Sequence, residues 1–328
     1  MSTAAPRVTV VLIAYNAEAR IERALETVLA QTLASLEVVV VDDGSADATV
    51  AVATAVAAAD PRVRVLQQRN GGPASARNHG IREARGDAVA FLDDDDRWHP
   101  RKLESQLAVL DARPAVGLVS CYSALVDADG LMLGWRLGGD ADGRAYAAML
   151  ERDLVSGGSV AMVRRSALLE TGGFDESLPM RSDWDLWIRL AHRHEVVTVR
   201  ETLVGYTRSP GGLSGAPDRM AAAGDEVLAR ARLRDPSIDS RRQRFLRARD
   251  SFAVACFCVF DERAGSAWHY LRRSLALSTA PVLRSPRRWG VVGALVVLTI
   301  LPRRVYRALL AIACRSFFGT AAGKPFDG

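Results

Sequence analysis

A chain of 328 residues with 49% hydrophobic and 25% charged side chains has ample material for one large core or two smaller ones, and this excludes a disordered or fibrous polypeptide. Its net charge of +5 is unevenly spread: eleven basic residues and one acid (Asp327) lie between Arg263 and Gly328, a balance of +10 that leaves −5 on residues 1–262. An acidic body with a basic tail directs any contact with a membrane or nucleic acid to the tail.

The opening stretch MSTAAPRVTVVLIAYN lacks a basic segment leading into a sustained apolar run, so no secretion signal is expected. RVTVVLI (7–13) reads as a strand, and Ile21, Leu25, Val28 and Leu29 recur at helical spacing behind Asn16, a possible N-cap. LEVVVV (36–41) is a continuous apolar run, as in a strand buried on both faces. It ends in DDGSADAT, where Ser45 or Asp47 could cap the Ala-rich helix that follows. RVRVLQ (62–67) predicts a third strand, NGGP (70–73) a turn, ASARNHGIREAR a helix, and DAVAFL a fourth strand that stops at Asp93–Asp96. Alternation of this kind predicts an α/β fold, a Rossmann-like, doubly wound and mostly parallel sheet, with ligands beyond the carboxyl ends of the strands.

Further along, AVGLVSCYSALV and GGSVAMVRR (157–165) read as strands, DWDLWIRLAHR as a helix and EVVTVRETLVGYTR as a strand or hairpin edge. SPGGLSGAP reads as a loop. From about residue 219 the pattern is helical, giving a domain of residues 1–215 (nucleotide half about 1–100, acceptor half about 101–215) and a helical, basic extension over 216–328. The four cysteines (Cys121, Cys256, Cys258, Cys314) have no zinc-site spacing, and Cys256 and Cys258 fit small core positions.

WGVVGALVVLTIL (289–301) is the most apolar segment. As a helix it would be about 20 Å long, short of a hydrocarbon core of ~30 Å. Arg287, Arg288, Arg303, Arg304 and Arg307 flank it, and ALLAIACRSFF follows. Interleaved apolar and basic residues favour an interfacial element on an anionic membrane over a nucleic-acid site, with a buried helix of a bundle as the alternative.

Asp93–Asp96 abut a buried strand and run straight into Trp98. A solvated loop is the ordinary meaning of a short charge run. A calcium loop needs further spaced oxygen ligands and a glycine turn that RWHP does not supply. The other reading is a divalent metal on one or two carboxylates, shared with substrate phosphates, which would neutralise a diphosphate leaving group. Asp43, at the neighbouring strand end, could accept a hydrogen bond from a base N–H.

VVLIAYNAE, EVVVVDDGSADAT, NGGPASARNHGI, FLDDDDRWHPRKL, TGGFDESL and DWDLWIRLA occur in this order. Together they resemble an inverting family 2 glycosyltransferase of GT-A fold, of the bacterial cell-envelope or exopolysaccharide type, over about residues 7–215. The resemblance implies a nucleotide diphosphate sugar donor, UDP- or dTDP-linked, with Tyr15 stacked on the base, Asp43 reading its edge, Arg77 near the nucleotide and Asp94 near the ribose. It places the Asp-x-Asp motif on Asp93 and Asp95, with Asp95 the principal ligand of Mg2+ or Mn2+, and sets GGFD (Gly173, Phe174) beside the acceptor. The general base of the family lies in an acidic pair before the Asp-Leu-Trp stretch; RSDWDLW matches its second acid with Asp183 and carries Ser182 in place of the first. Asp185 fits a helix cap instead. Trp184 or Trp187 could pack the apolar face of a sugar. In YTRSPGGLS, a mobile lid could bring Arg208 to the donor diphosphate.

The expected activity is transfer of one sugar to a hydroxyl, with a glycan or lipid-linked acceptor, in the cytoplasm at the inner face of the cell membrane. A processive synthase is disfavoured because Ser285 stands where the Gln-x-x-Arg-Trp motif needs glutamine. A nucleotidyltransferase would need a basic phosphate loop that IAYNAEAR does not offer. A non-catalytic sugar-nucleotide-binding protein is the further alternative, raised by Ser182.

Overall fold

Runs of apolar, β-branched residues form a sheet that helices must cover on its faces, as parallel pairing demands. The computed structural model describes residues 5–127, 129–207, 216–283, 286–300 and 326. β1 (Val8–Ala14) lies between β2 (Leu36–Asp42) and β4 (Ala88–Asp93), β3 (Val63–Gln67) lies outside β2, and all four are parallel. β2 is buried at every position and β1 at every position except Ile13. The crossovers contain α1 (Ile21–Leu29), α2 (Thr49–Ala59) and α3 (Pro73–Glu83). Ile21, Leu25 and Val28 of α1 are buried, as their spacing predicts. α3 lies so close to β1 that a Cβ on Gly80 would sit 2.3 Å from Val11 Cγ1.

Beyond β4 the sheet continues through β9 (Met162–Arg164), β6 (Val116–Val126), β10 (Glu195–Thr207) and β5 (Arg97–Trp98). β9 is antiparallel to both β4 and β6, whereas β6 and β10 are parallel. β7 (Met132–Leu137) and β8 (Asp142–Gly143) add antiparallel edges to β6 and β10. α4 (Lys102–Ala112), α5 (Tyr146–Glu151), α6 (Arg165–Thr171) and α7 (Ser182–Arg193) complete this part. The strand expected over residues 157–165 shrinks to three residues, because its first part is drawn into hydrogen bonds at the end of β4. β10 is one continuous strand inside the sheet, where a hairpin edge was the alternative.

The chain divides into two compact units: Met1–Met149, Asp153–Ser209 and Ala321–Gly328 form the first, and Leu150–Arg152 with Pro210–Thr320 the second. In the first unit, Phe326 packs against Val126 and donates its backbone N–H to the Gly130 carbonyl at 3.0 Å. The second unit contains α8 (Pro217–Arg234), α9 (Ser240–Phe260), α10 (Ala264–Leu277), α11 (Ala280–Leu283) and α12 (Pro286–Ile300). Its core includes Phe252, Cys258, Tyr270, Leu271, Leu295 and Leu298, so Cys258 is the core residue its apolar setting predicts. α12 buries Leu295 and Leu298 and leaves Val296 and Ile300 exposed. Among the described residues no helix is long and apolar enough to cross a membrane.

One buried charge has a measurable consequence. Lys102 is fully buried; its ammonium lies 3.9 Å from the Trp98 ring centroid and donates to Gln106 Oε1 at 2.8 Å. Burial pushes its pKa down to about 8. The unfolded chain therefore binds more protons than the folded one between pH ~8 and ~10.4, and Lys102 costs stability below that window. Relative to Lys102→Met, the wild type should gain about 2 kcal/mol between pH 7.5 and 9.5 in paired denaturant titrations. Cys121 and the tyrosines are common to both proteins, so a difference that stays constant with pH would show that the lysine is not desolvated.

Candidate active site

The sheet register sets Ala14 opposite Asp42 and Ile13 opposite Asp93, so the carboxyl ends of β1, β2 and β4 form one edge. The acid cluster stands on this edge, and its members have different partners. Arg77 Nη2 of α3 lies 2.5 Å from Asp93 Oδ1. Asp94 accepts from Arg20 Nε at 3.1 Å and from the Tyr15 backbone N–H at 3.3 Å. Burial pushes the Asp94 carboxyl up to about 6, against the pull of Arg20. Asp96 is 1% exposed, accepts from the Thr207 N–H at 2.9 Å, and is raised well above the carboxylate range by burial and by repulsion from Asp95 and Asp93. Asp96 thus anchors the end of β10, while half-buried Asp95 is the negative neighbour that raises both Asp94 and Asp96.

The β1 and β2 loops lock each other. Ser45 Oγ accepts from the Asn16 N–H and Asn16 Oδ1 from the Ala46 N–H, both at 2.9 Å. Asn16 is therefore a loop clamp, with φ +48°, and not the cap of α1, which starts at Ile21. Tyr15, half exposed, presents its ring to solvent beside Asp94. Asp43 Oδ1 accepts from Gln68 Nε2 at 2.8 Å and the Gly71 N–H at 2.9 Å, and Oδ2 accepts from the Gly72 N–H at 2.8 Å. Gln68 Oε1 in turn meets His79 Nδ1 at 2.9 Å. The carboxyl at position 43 is thereby held by the turn ahead of α3.

Asp183 lies in the first turn of α7, half-buried, and its Oδ1 accepts from the Trp184 N–H at 2.8 Å. Arg181 before it adopts φ +57° and stacks its guanidinium 5.3 Å from the Trp184 ring centroid. Arg77 carries the field between the two acid groups: its charge is stabilised by Asp93, Asp183 and Asp96, and its guanidinium lies 5.4 Å from the Phe174 ring centroid. Asp93, Asp94, Asp95, Arg77 and Asp183 are therefore neighbours in one electrostatic field. Phe174 and Trp184, the residues expected beside an acceptor, are each 3% exposed, so neither presents a ring face to solvent. Phe174 packs edge-on to Phe91, and Trp184 donates to the Met149 carbonyl at 2.8 Å. Arg208 lies outside the described residues.

Asp185 is not a helix cap. It is fully buried and accepts from Arg189 Nε at 2.8 Å, while Arg189 donates to the carbonyls of Thr171 and Gly173 at 2.6 and 2.7 Å. The i, i+4 spacing of Asp185 and Arg189 was the sequence signal for this clamp. On its far side Asn78 bonds both the N–H and the carbonyl of Phe174 at 2.8 Å. A Cβ at Gly173, whose φ is +71°, would lie 2.5 Å from Asn78 Oδ1. Gly173→Ala should lower stability by about 2 kcal/mol, combining left-handed strain with a displaced hydrogen-bond pair. A denaturant midpoint unchanged from wild type would contradict this clamp.

Arg20, Gln68 and Ser159 bond Asp94, Asp43 and Asp93 respectively, with no local motif to announce them. Ser159 Oγ accepts from the Asp93 N–H at 3.1 Å and its carbonyl from Trp98 Nε1 at 2.9 Å. Among the described residues no three His, Cys, Asp or Glu side chains form a ready metal cage. The oxygen-only donors at Asp93 and Asp95 and the mutual repulsion around Asp95 fit a hard divalent cation held by one or two carboxylates with donor phosphates.

Comparison with known proteins agrees with this architecture. The chain is 50% identical over 111 residues to the succinoglycan biosynthesis protein ExoO of Rhizobium meliloti (strain 1021), covering 34% of this chain and 31% of that protein. It is 28% identical over 210 residues to the uncharacterized glycosyltransferase RT0329 of Rickettsia typhi (strain ATCC VR-144 / Wilmington), covering 62% and 64% of the two chains. The chain thus spans from about a third to just under two thirds of these curated relatives' length. Among solved structures it resembles the mannosyltransferase PcManGT of Pyrobaculum calidifontis in complex with GDP-Man and Mn2+, with TM-score 0.61, 23% identity and coverage of 96% and 88%. It also resembles S. aureus TarS 1–349 in complex with UDP-GlcNAc, with TM-score 0.60, 18% identity and coverage of 94% and 87%. These likenesses show the expected GT-A fold. The profile of "Glycosyl transferase family 2" matches residues 9–172, half of the chain, and the chain belongs to that family.

Proposed function

We propose that this chain is a metal-dependent, inverting transferase that moves one sugar from a nucleotide diphosphate sugar to a hydroxyl of a cell-envelope or extracellular glycan, or of its lipid-linked precursor. The observation that carries the reading is the buried Arg77, which joins the donor-side Asp93 to the helix-borne Asp183 in one field. Asp183 takes the proton of the acceptor hydroxyl as that oxygen attacks the anomeric carbon opposite the diphosphate, a service worth about 10²–10⁴-fold in rate. Mg2+ or Mn2+ would be held by Asp95 with Asp93 and, when bound, would neutralise the charge of the departing diphosphate. Tyr15 stacks on the base and Asp94 meets the ribose. Asp43 has three recorded donors against about four acceptor sites, which leaves capacity for an imide N–H of uracil or thymine. The polysaccharide setting of the relative ExoO supports a glycan acceptor.

The exposed Val296 and Ile300 of α12, with the arginines around residues 289–318, support attachment to the inner face of the cell membrane; residues 301–325 lie outside the described residues. Cosedimentation with anionic vesicles, lost in neutral ones, is the expected result.

Nucleotide release from UDP-, dTDP- and GDP-sugars with Mn2+ tests the activity. Turnover of at least one donor, stopped by EDTA, is expected. Metal-dependent donor binding without release from any of them would favour a non-catalytic sugar-nucleotide-binding protein.

A further inference from the structure

Asp43 is 5% exposed, and its hydrogen bonds divide unevenly between its two oxygens. Oδ1 accepts from Gln68 Nε2 and the Gly71 N–H, which fills both of its lone pairs. Among the described residues Oδ2 accepts from the Gly72 N–H, so the acceptor capacity left over lies on Oδ2. The Gln68 side chain sets this division. Its backbone is pinned beside Asp43: the Gln68 N–H donates to the Asp42 carbonyl at 2.9 Å, and a Cβ on Gly44 would sit 3.3 Å from the Gln68 carbonyl oxygen. A carboxylate only accepts, so the Gln68 NH2 faces Asp43 while Oε1 faces His79 Nδ1 at 2.9 Å. Oε1 also only accepts. His79 therefore carries a hydrogen on Nδ1, as both the neutral Nδ1–H tautomer and the imidazolium do. His79 stands on α3 two positions after Arg77, the partner of Asp93.

We infer that His79 and Gln68 are positioning residues that set nucleobase specificity: they hold the Asp43 carboxyl so that Oδ2 is the oxygen open to a ring N–H of the base. This rests on the base contact proposed for Asp43 above. Uracil, thymine and guanine each offer an imide-type ring N–H, whereas cytosine and adenine present a bare nitrogen at the corresponding edge. A bare nitrogen meets the carboxylate as acceptor against acceptor, and a polar site fixed in this way rejects such an analogue. The rejection depends on the carboxyl being unable to turn. Without the His79 hydrogen bond the Gln68 amide is free to rotate, and Asp43 Oδ1 loses a donor. A water or the Gln68 NH2 can then stand between the carboxyl and a bare nitrogen, and discrimination falls although the Gly71 and Gly72 N–H groups remain. Neither His79 nor Gln68 touches the nucleotide in this scheme.

The test measures affinity for two matched pairs, UDP against CDP and GDP against ADP, by calorimetry with Mn2+. It compares wild type, His79→Leu, His79→Asn, Gln68→Leu, the double variant His79→Leu/Gln68→Leu and Asp43→Asn, with thermal unfolding to confirm that each is folded. Wild type should prefer the imide-bearing member of the pair it binds better. His79→Leu and Gln68→Leu should each lower that preference by about ten-fold, the equivalent of one net hydrogen bond. His79→Asn, whose Nδ2 can take the place of the imidazole Nδ1, should recover most of it. The double variant should lose no more than Gln68→Leu alone, because His79 acts through Gln68. Equal losses for both members of the pair in His79→Leu would leave the ratio unmoved, make the contact merely structural and overturn the inference. A double variant in which the two losses add would overturn it as well. Asp43→Asn should shift preference toward the bare-nitrogen base, since its amide offers an N–H. If Asp43→Asn kept the wild-type preference, or wild type bound both members of each pair equally, the base contact itself would be removed and the inference with it.

Discussion

Asp183→Asn is expected to lower sugar transfer by about 10²–10⁴-fold while leaving donor affinity and thermal stability close to wild type. The reason is geometric as well as chemical. The Asp183 carboxyl is half-buried at the start of α7, and among the described residues its hydrogen-bond donor is the Trp184 N–H, which an asparagine carbonyl can also accept. The amide therefore keeps the local contact and loses only the ability to take a proton. Measuring turnover alongside nucleotide-sugar affinity separates the two. A variant that binds donor normally and transfers at the wild-type rate would show that another group accepts the acceptor proton. A variant that loses donor binding would place Asp183 on the donor side of the site.

Arg77→Leu is expected to damage both stability and activity. The side chain of Arg77 is 10% exposed and that of its partner Asp93 is 31% exposed. Removing one partner of a fully buried pair costs ~3–5 kcal/mol, and the partial exposure of Asp93 brings the expected loss to about 2–3 kcal/mol. Among the described residues Arg77 Nε has no hydrogen-bond partner, and so the site retains this guanidinium at an energetic cost. Asp93 without its cation would also be repelled by Asp95, which disturbs the carboxylates assigned to the metal. Donor affinity in Mn2+ should fall at least ten-fold, a loss of ~1.4 kcal/mol. Arg77→Lys should recover part of the stability but not the stacking on Phe174, because an ammonium is a point charge without a planar face. Equal stability and equal donor affinity in Arg77→Leu would mean that the guanidinium organises neither side of the site.

The parts of the fold that could be read in advance are those written in local pattern. The apolar runs of β1, β2 and β4 and the helical spacing of α1 gave the parallel half of the sheet, and Asp43 and Asp93–Asp96 lie at strand ends as expected. The antiparallel insertion of β9 was not legible, because three residues carry no periodicity and their pairing joins Ala88–Ala90 to Met162–Arg164. Asp96 looked like one more member of a charge run, and only its contact with Thr207, 111 positions away, makes it a structural anchor. Asp185 resembled a helix cap because capping is the commonest use of an acid in a first turn; burial and Arg189 give it a different task.

The proposed displacement at the anomeric carbon is inverting, assisted by Asp183 on the face opposite the diphosphate. It is tested most directly by time-resolved proton NMR of the sugar first formed when the preferred α-linked nucleotide sugar turns over with Mn2+. The anomeric coupling should report the β product before any mutarotation, and the signal should be absent in Asp183→Asn. Initial formation of the α product would contradict a single inverting step and the role given to Asp183.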